Sequence, residues 1–333
     1  MSGSQFSILK FPLINVLVFF SLGLNAQLNW RNVDIDFAPL PKGFHVFKTM
    51  DSLDGKPFVA YYAIAGLKNK KLLFTTDTTY KRRLTPAGFY EKIGQPLLVV
   101  NSTFFSFGTN QNLNLVMQKG KTISYNVHSL PMRGKDTLQY RHPFASAIGI
   151  SQKGNADVAW TYTDSSMTEV YAVQRPVESV KDSLNSFSFN KANFLTDNPV
   201  KDRFELRQWR MQTAVGGGPV LVQNGQVNIS NNEELKFAGK AINDKHPRTM
   251  MGYTKDHKMI IMVVEGRNPG VAEGASLLQA AKIMVDLGCV EALNLDGGGS
   301  SCMLINGKET IKPSDKGLQR AIPAVFIISQ KGK

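Results

Sequence analysis

The stretch LNLDGGGSS at 293–301 runs an apolar segment into one carboxylate, three glycines and two hydroxyls. Glycine lets a backbone approach a ligand closely, and successive N–H groups can form a concave donor set for an anion. On that reading Asp296 faces whatever Gly297, Gly298, Gly299 and Ser300 hold. A tight glycine turn capped by Asp296 accounts for the same residues, so both readings stay open at this point. The segment is not a Walker A loop, because no Gly-Lys-Ser/Thr follows. Nor is it a dinucleotide fingerprint, because a hairpin rather than a helix is expected next.

Other residues of chemical interest stand at the ends of apolar runs. Glu265 follows the run 259–264 and precedes Gly266-Arg267. Strand ends present catalytic carboxylates, and an ion pair with an arginine competes as an explanation. Arg248, in the sequence HPRT, has the fork geometry to hold a phosphate or carboxylate bidentately, although a surface arginine is the default for that residue alone. Asn101 follows 97–100 and leads into Phe104-Phe105, which read as core before sugar platform. The glycines 216–218 precede a hairpin, so Gly217 and Gly218 are either a ligand-facing loop or an irregular strand entry. The five histidines show no metal-ligand spacing, no GxSxG elbow is present, and neither metal nor cofactor is expected. Cys289 and Cys302 read as small core residues, with a bridge between them as the alternative.

The elements that must position these groups are mostly short apolar or β-branched runs, at 58–65, 71–75, 97–100, 145–150, 219–223, 259–264 and 292–295. Asn224-Gly225 and Asn306-Gly307 each separate two such runs by the two residues of a primed hairpin turn. Residues 249–254 and 259–264 flank a third hairpin. The clearest helix is 277–287, with Leu277, Leu278, Ala281, Met284 and Val285 on one face, a Ser276–Gln279 capping box and a terminating Gly288. A weaker helix is expected at 86–93. The expectation is an α+β fold: a largely antiparallel or mixed curved sheet with packed helices, in a single domain.

Residues 1–26 carry one charge, Lys10, an apolar stretch too short to span a bilayer, and a small residue before Gln27, the pattern of a signal peptide. The expected organisation is a signal peptide over 1–26, a lead-in over 27–57, and one domain over 58–330 with 121–210 as a variable insertion. The protein is then exported, periplasmic or extracellular, with no membrane anchor after cleavage. Two cysteines in 333 residues exclude a disulfide scaffold and a cysteine zinc cluster. Without Lys10 the chain has 38 basic and 26 acidic side chains, an excess that favours anionic partners. No nucleic-acid signature is present. The basic residues Lys68, Lys70, Lys71, Lys81, Arg82 and Arg83 read chiefly as a solvated face.

Together VVNSTFF at 99–105, TAVGGGPVLVQNG at 213–225, RTMMGYT at 248–254, VVEGR at 263–267, GASLLQAAKIMVDLG at 274–288 and ALNLDGGGSSCM at 292–303 resemble the phosphodiester glycosidase family. The resemblance runs over about 58–330, poorly at 121–210. It implies hydrolysis of a sugar linked through its anomeric carbon to a phosphodiester. Two departures stand out: Ser102-Thr103 where the family usually has two glycines, and Glu265 where it often has aspartate. On this reading Asp296 and Glu265 are the catalytic carboxylates, and Arg248, Arg267, Gly217, Gly218 and the 297–300 backbone hold substrate or phosphate. Asn101 and Asn294 orient sugar hydroxyls or the phosphate. The substrate is a sugar-phosphate diester or an anionic glycan. A non-catalytic glycan-binding protein and a phosphodiesterase breaking the P–O bond remain open as alternatives.

Overall fold

A computed structural model of the chain describes residues 28–132, 139–183 and 206–332. The expected signal segment 1–26 lies outside the described residues. Three antiparallel sheets dominate. The largest has eight strands, ordered Arg31–Asn32, Phe44–Thr49, Ala60–Gly66, Lys258–Val264, Arg248–Thr254, Cys289–Asn294, Val220–Gln223 and Gln226–Val227. A seven-stranded sheet is centred on Ala156–Tyr162, Ala145–Ile150 and Thr213–Gly216. A five-stranded sheet has Leu98–Asn101 and Ala324–Gln330 inside it and Leu72–Thr78 on one edge.

This overturns the α+β expectation. Sheets pack on sheets around a shared core, and only two helices of seven or more residues occur among the described residues, Pro86–Lys92 and Leu277–Asp286. The central core draws Val46, Ile261 and Leu293 from the first sheet, Ile148, Trp160 and Val215 from the second, and Val100, Met303 and Phe326 from the third. The wholly apolar run 259–264 shows why. Met259, Ile261 and Val263 enter that central core, while Ile260, Met262 and Val264 enter a second one beneath the Leu277–Asp286 helix. A strand covered on both faces carries no polar alternation, so its sequence does not announce which partner covers which side.

Local chemistry matches the local structure. Asn224-Gly225 and Asn306-Gly307 both adopt positive φ at both residues, closing the two-residue turns between Gln223 and Gln226 and between Ile305 and Lys308. Ser276 and Gln279 cap the long helix reciprocally, and Gly288 follows it at φ 80°. Its buried face is Leu277, Ala280, Ala281, Ile283 and Met284. Leu278, expected inside, is 50% exposed, because the sheet meets the helix one residue further round. Cys289 and Cys302 are both free and belong to different core clusters. Strands at 145–150 and 156–162 build the middle of the second sheet from within the region read as an insertion.

Candidate active site

Ends of the Leu98–Asn101, Arg248–Thr254 and Cys289–Asn294 strands meet around Asp296. Its N–H donates to the Ser102 carbonyl at 2.9 Å, and its carbonyl accepts from Asn101 Nδ2 at 2.6 Å. Leu295 N–H donates to the Thr249 carbonyl at 2.8 Å. Asn101 is 1% exposed, and its Oδ1 accepts from Thr249 Oγ1 at 2.8 Å and Cys302 N–H at 3.1 Å. The amide expected to orient substrate is spent as a tie between strands, and what it orients is Asp296.

Asp296 keeps access to solvent while the protein crowds it on most sides. Burial pushes its carboxyl up to about 7, against the opposing influence of the Ser300 hydroxyl, the Arg320 charge and the Gly297 N–H. The glycine loop after it is partly self-satisfied. Gly298 N–H donates to the Pro247 carbonyl and Ser300 N–H to the Gly297 carbonyl. The Gly297 N–H is given to the Asp296 carboxyl itself, so among the described residues only the Gly299 N–H is left for an anion, fewer donors than the four amides suggested by sequence.

Cations supply what the amides do not. A Cβ on Gly298 would stand 3.0 Å from Arg267 Nη2, and one on Gly299 would stand 2.2 Å from Arg320 Nη2. These glycines let two guanidinium groups lie directly on the loop. Arg320 is anchored by Asp315, with Nε 2.8 Å from Oδ2. Arg248 is 2% exposed, donates from Nε to the Ala275 carbonyl at 2.9 Å, and lies over the Phe237 ring at 5.6 Å. Burial and the neighbouring Arg267 lower it to about 10. His246 beside them is held below the usual imidazole range by burial and by Arg248 and Arg267.

Glu265 lies across the start of the Arg248–Thr254 strand from Asp296: Val264 pairs with Arg248 on one side, and Leu295 bonds Thr249 on the other. Its carboxylate is 8% exposed in residue terms and accepts from Lys312 N–H at 3.1 Å and Asn268 Nδ2 at 3.4 Å. It ties down the segments carrying Asn268 and Lys312, and no arginine pairs with it among the described residues.

Gly217 and Gly218 pack backbone on backbone. A Cβ at Gly217 would meet the Asn294 carbonyl at 2.4 Å, and Gly218 N–H donates to that same carbonyl at 2.7 Å. Asn294 Nδ2 returns bonds to the Gly218 and Leu295 carbonyls at 2.9 Å each. Glu234 locks this corner: its carboxylate accepts from Ser146 N–H and Oγ, Val220 N–H, Ser230 Oγ and Trp160 Nε1. The adjacent Lys236 ammonium lies 5.3 Å from the Phe104 ring centroid, and burial lowers its affinity for the proton while Glu234 supports it. Phe104 meets Phe237 edge-on at 6.1 Å, whereas Phe105 is core.

Buried atoms of this neighbourhood, Ser102 Oγ, Asn114 Oδ1, Asn294 Oδ1 and His246 Nδ1 among them, have no hydrogen-bond partner among the described residues. Each such buried, unsatisfied group costs about 1–3 kcal/mol. The arrangement is a recessed carboxylate titrating near neutrality, three guanidinium groups, an ammonium and two aromatic edges. That set suits a sugar bearing a phosphate. Arg320, Lys236, Phe237 and His246 escaped sequence reasoning. Arg320 shortly precedes the Ala324–Gln330 strand, so the strand-entry logic applied to Arg248 would have found it. Lys236 and Phe237 sit in an irregular segment with no periodic signal.

Comparison with known proteins accords with this chemistry. Residues 94–329 match the family profile described as phosphodiester glycosidase. The bovine N-acetylglucosamine-1-phosphodiester alpha-N-acetylglucosaminidase is 29% identical over 103 residues, 28% of this chain and 19% of that protein. The SPbeta prophage-derived uncharacterized protein YomE of Bacillus subtilis is 35% identical over 88 residues, 26% of this chain and 13% of that protein. The matched stretch thus spans a fifth or less of these curated relatives. Among solved structures, the catalytic domain of the zebrafish N-acetylglucosamine-1-phosphodiester alpha-N-acetylglucosaminidase aligns with TM-score 0.55 at 18% identity, over 92% of this chain and 89% of that one. A Burkholderia pseudomallei protein described as exported aligns with TM-score 0.55 at 16% identity, over 84% and 75%. These structural likenesses speak to the fold.

Proposed function

Because this chain belongs to the phosphodiester glycosidase family, we propose that it is an exported hydrolase that breaks the anomeric C–O bond of a sugar-1-phosphodiester. The observation that carries this reading is Asp296, a recessed carboxylate pushed up to about 7 and faced by Arg320 across the glycine loop. A group titrating near the working pH is well suited to take a proton from water. Water adds to the anomeric carbon as its proton passes to Asp296. The C–O bond breaks, and its electron pair leaves with the phosphate. The developing positive charge on the sugar ring lies beside the carboxylate. The departing phosphate monoester gains negative charge, which Arg248, Arg267, Arg320 and the Gly299 N–H stabilise.

A phosphate leaving group needs no strong general acid, so one cleft-facing carboxylate suffices. Glu265, whose oxygens hold Lys312 and Asn268, then supports the site without contacting substrate. Asn294 and the Phe104–Phe237 edge bound the sugar's side of the cleft. Hydrolysis in ¹⁸O-labelled water tests the reading. Label in the released sugar supports it, and label in the phosphate moves the reaction to phosphorus. Export is tested by the intact mass of protein recovered from its native host, which should begin near Gln27.

A further inference from the structure

A second cationic site lies at the opposite end of the same strands. A groove of about 610 Å³ is lined by Lys68, Lys70, Lys119, Lys153 and Lys331, with no aspartate or glutamate in its wall among the described residues. All five lysines are exposed, and among the described residues none pairs with a carboxylate. Elsewhere Lys92 is paired with Asp77 and Lys258 with Asp256. Five like charges gathered in one concavity repel one another, and a concave wall of one sign focuses its field on a counter-charged ligand.

Strand registers separate this groove from Asp296. Ala60 pairs with Val264, which pairs with Arg248 at the catalytic end. Seven residues further on, just past the end of that strand at Gly66, Leu67 lines the groove and donates its N–H to the His257 carbonyl. At about 3.3 Å per residue that is roughly 23 Å. The second sheet repeats the relation, with Ile150 paired with Thr213 at the groove and Gly217 bonded to Ser146 at the other end. In the third sheet, Asn101 is level with Val325 and Asp77, while Phe74 lines the groove level with Ile328 and Leu98.

We propose that this groove binds an anionic glycan chain, holding the protein on a charged polysaccharide at a site separate from the Asp296 cleft. Its neutral wall groups include the exposed carboxamides of Gln152 and Gln212, which suit a hydroxyl-rich polymer. Its only aromatic ring, Phe74, packs against the core. Single-stranded nucleic acid is usually held by aromatic platforms as well as charge, and the groove offers none. The basic residues Lys68 and Lys70 thereby acquire a role beyond that of a solvated face. The inference stands independently of the reaction at Asp296.

The test is fluorescence anisotropy with a fluorescein-labelled hexamer of galacturonic acid, against neutral maltohexaose and a DNA hexanucleotide. Wild-type protein should bind the charged hexamer, ignore the neutral one, and lose affinity steeply as salt rises. The triple variant Lys70→Gln/Lys119→Gln/Lys153→Gln, unfolding at the wild-type temperature, should bind at least about tenfold more weakly, as loss of three charge contacts implies. Asp296→Asn should bind as wild type. Undiminished binding by the triple variant, loss of binding in Asp296→Asn, no binding by wild type, or tighter binding of the DNA would each overturn the proposal.

Discussion

Asn101 and Asp296, 195 positions apart, meet through a 2.6 Å hydrogen bond from the asparagine Nδ2 to the aspartate backbone carbonyl. The other end of the same amide accepts from Thr249 and Cys302. One buried side chain thus joins the five-stranded sheet, the eight-stranded sheet and the glycine loop, and fixes where the Asp296 carboxylate stands.

Asn101→Ala should therefore damage both stability and turnover. It strands the Asp296 carbonyl and the Cys302 N–H in a buried setting, at about 1–3 kcal/mol for each left unsatisfied, while the Thr249 hydroxyl keeps Ser301 Oγ as a partner. Urea unfolding should show a loss of about 2–4 kcal/mol after partial relaxation, and kcat should fall as Asp296 loses its tether. Full turnover at wild-type stability would refute the tie.

Asp296→Asn should reduce kcat by about 10² or more, the size of general acid–base effects, yet raise the melting temperature at alkaline pH. The native carboxyl titrates at about 7 against 3.8 unfolded. The native state thus holds the proton more tightly, and the stabilisation this gives is complete below about pH 4 and lost as pH rises to about 7. Asparagine cannot ionise, so its advantage should appear above pH 7 and vanish near pH 4 in thermal scans.

The pH profile of kcat/KM should rise and level off above about 7 as Asp296 ionises. Arg320 lowers that titration by its charge, so Arg320→Gln should move the limb to higher pH as well as slow the reaction. A limb that stays in place in the variant would separate Arg320 from the carboxylate. A profile that falls through 7 would make Asp296 an acid instead.

Lys236→Met should raise KM more than it lowers kcat, because the ammonium lies along the Phe104 and Gly218 wall rather than over Asp296. Steady-state kinetics on a sugar-1-phosphodiester decides this. An equal fall in kcat and kcat/KM with KM unchanged would place Lys236 at the reacting bond.

Glu234→Gln should cost about 3 kcal/mol or more. The carboxylate accepts from five donors, and an amide turns one of its two acceptors into a donor facing them. Denaturant unfolding checks the loss.

What could be read from the chain itself was local. The Asn-Gly turns, the Ser276–Gln279 box, the Gly288 stop and the run into Asp296 depend on φ preference and capping chemistry, which neighbouring residues settle among themselves. The glycine motif and the family resemblance come from the same short-range order. What the tertiary structure decided was every relation across the sheets. Residues 259–264 face two cores at once, so no alternation marked the stacking, and the α+β expectation failed. Leu278 turned outward because the sheet, not the helix period, chose the buried face. Asn101 became a tie because Thr249 and Cys302 reach it from strands distant in sequence. Arg267 and Arg320 could lie on Gly298 and Gly299 only because no Cβ intervenes, and that contact exists only once the sheets have brought residues 267, 298, 299 and 320 together.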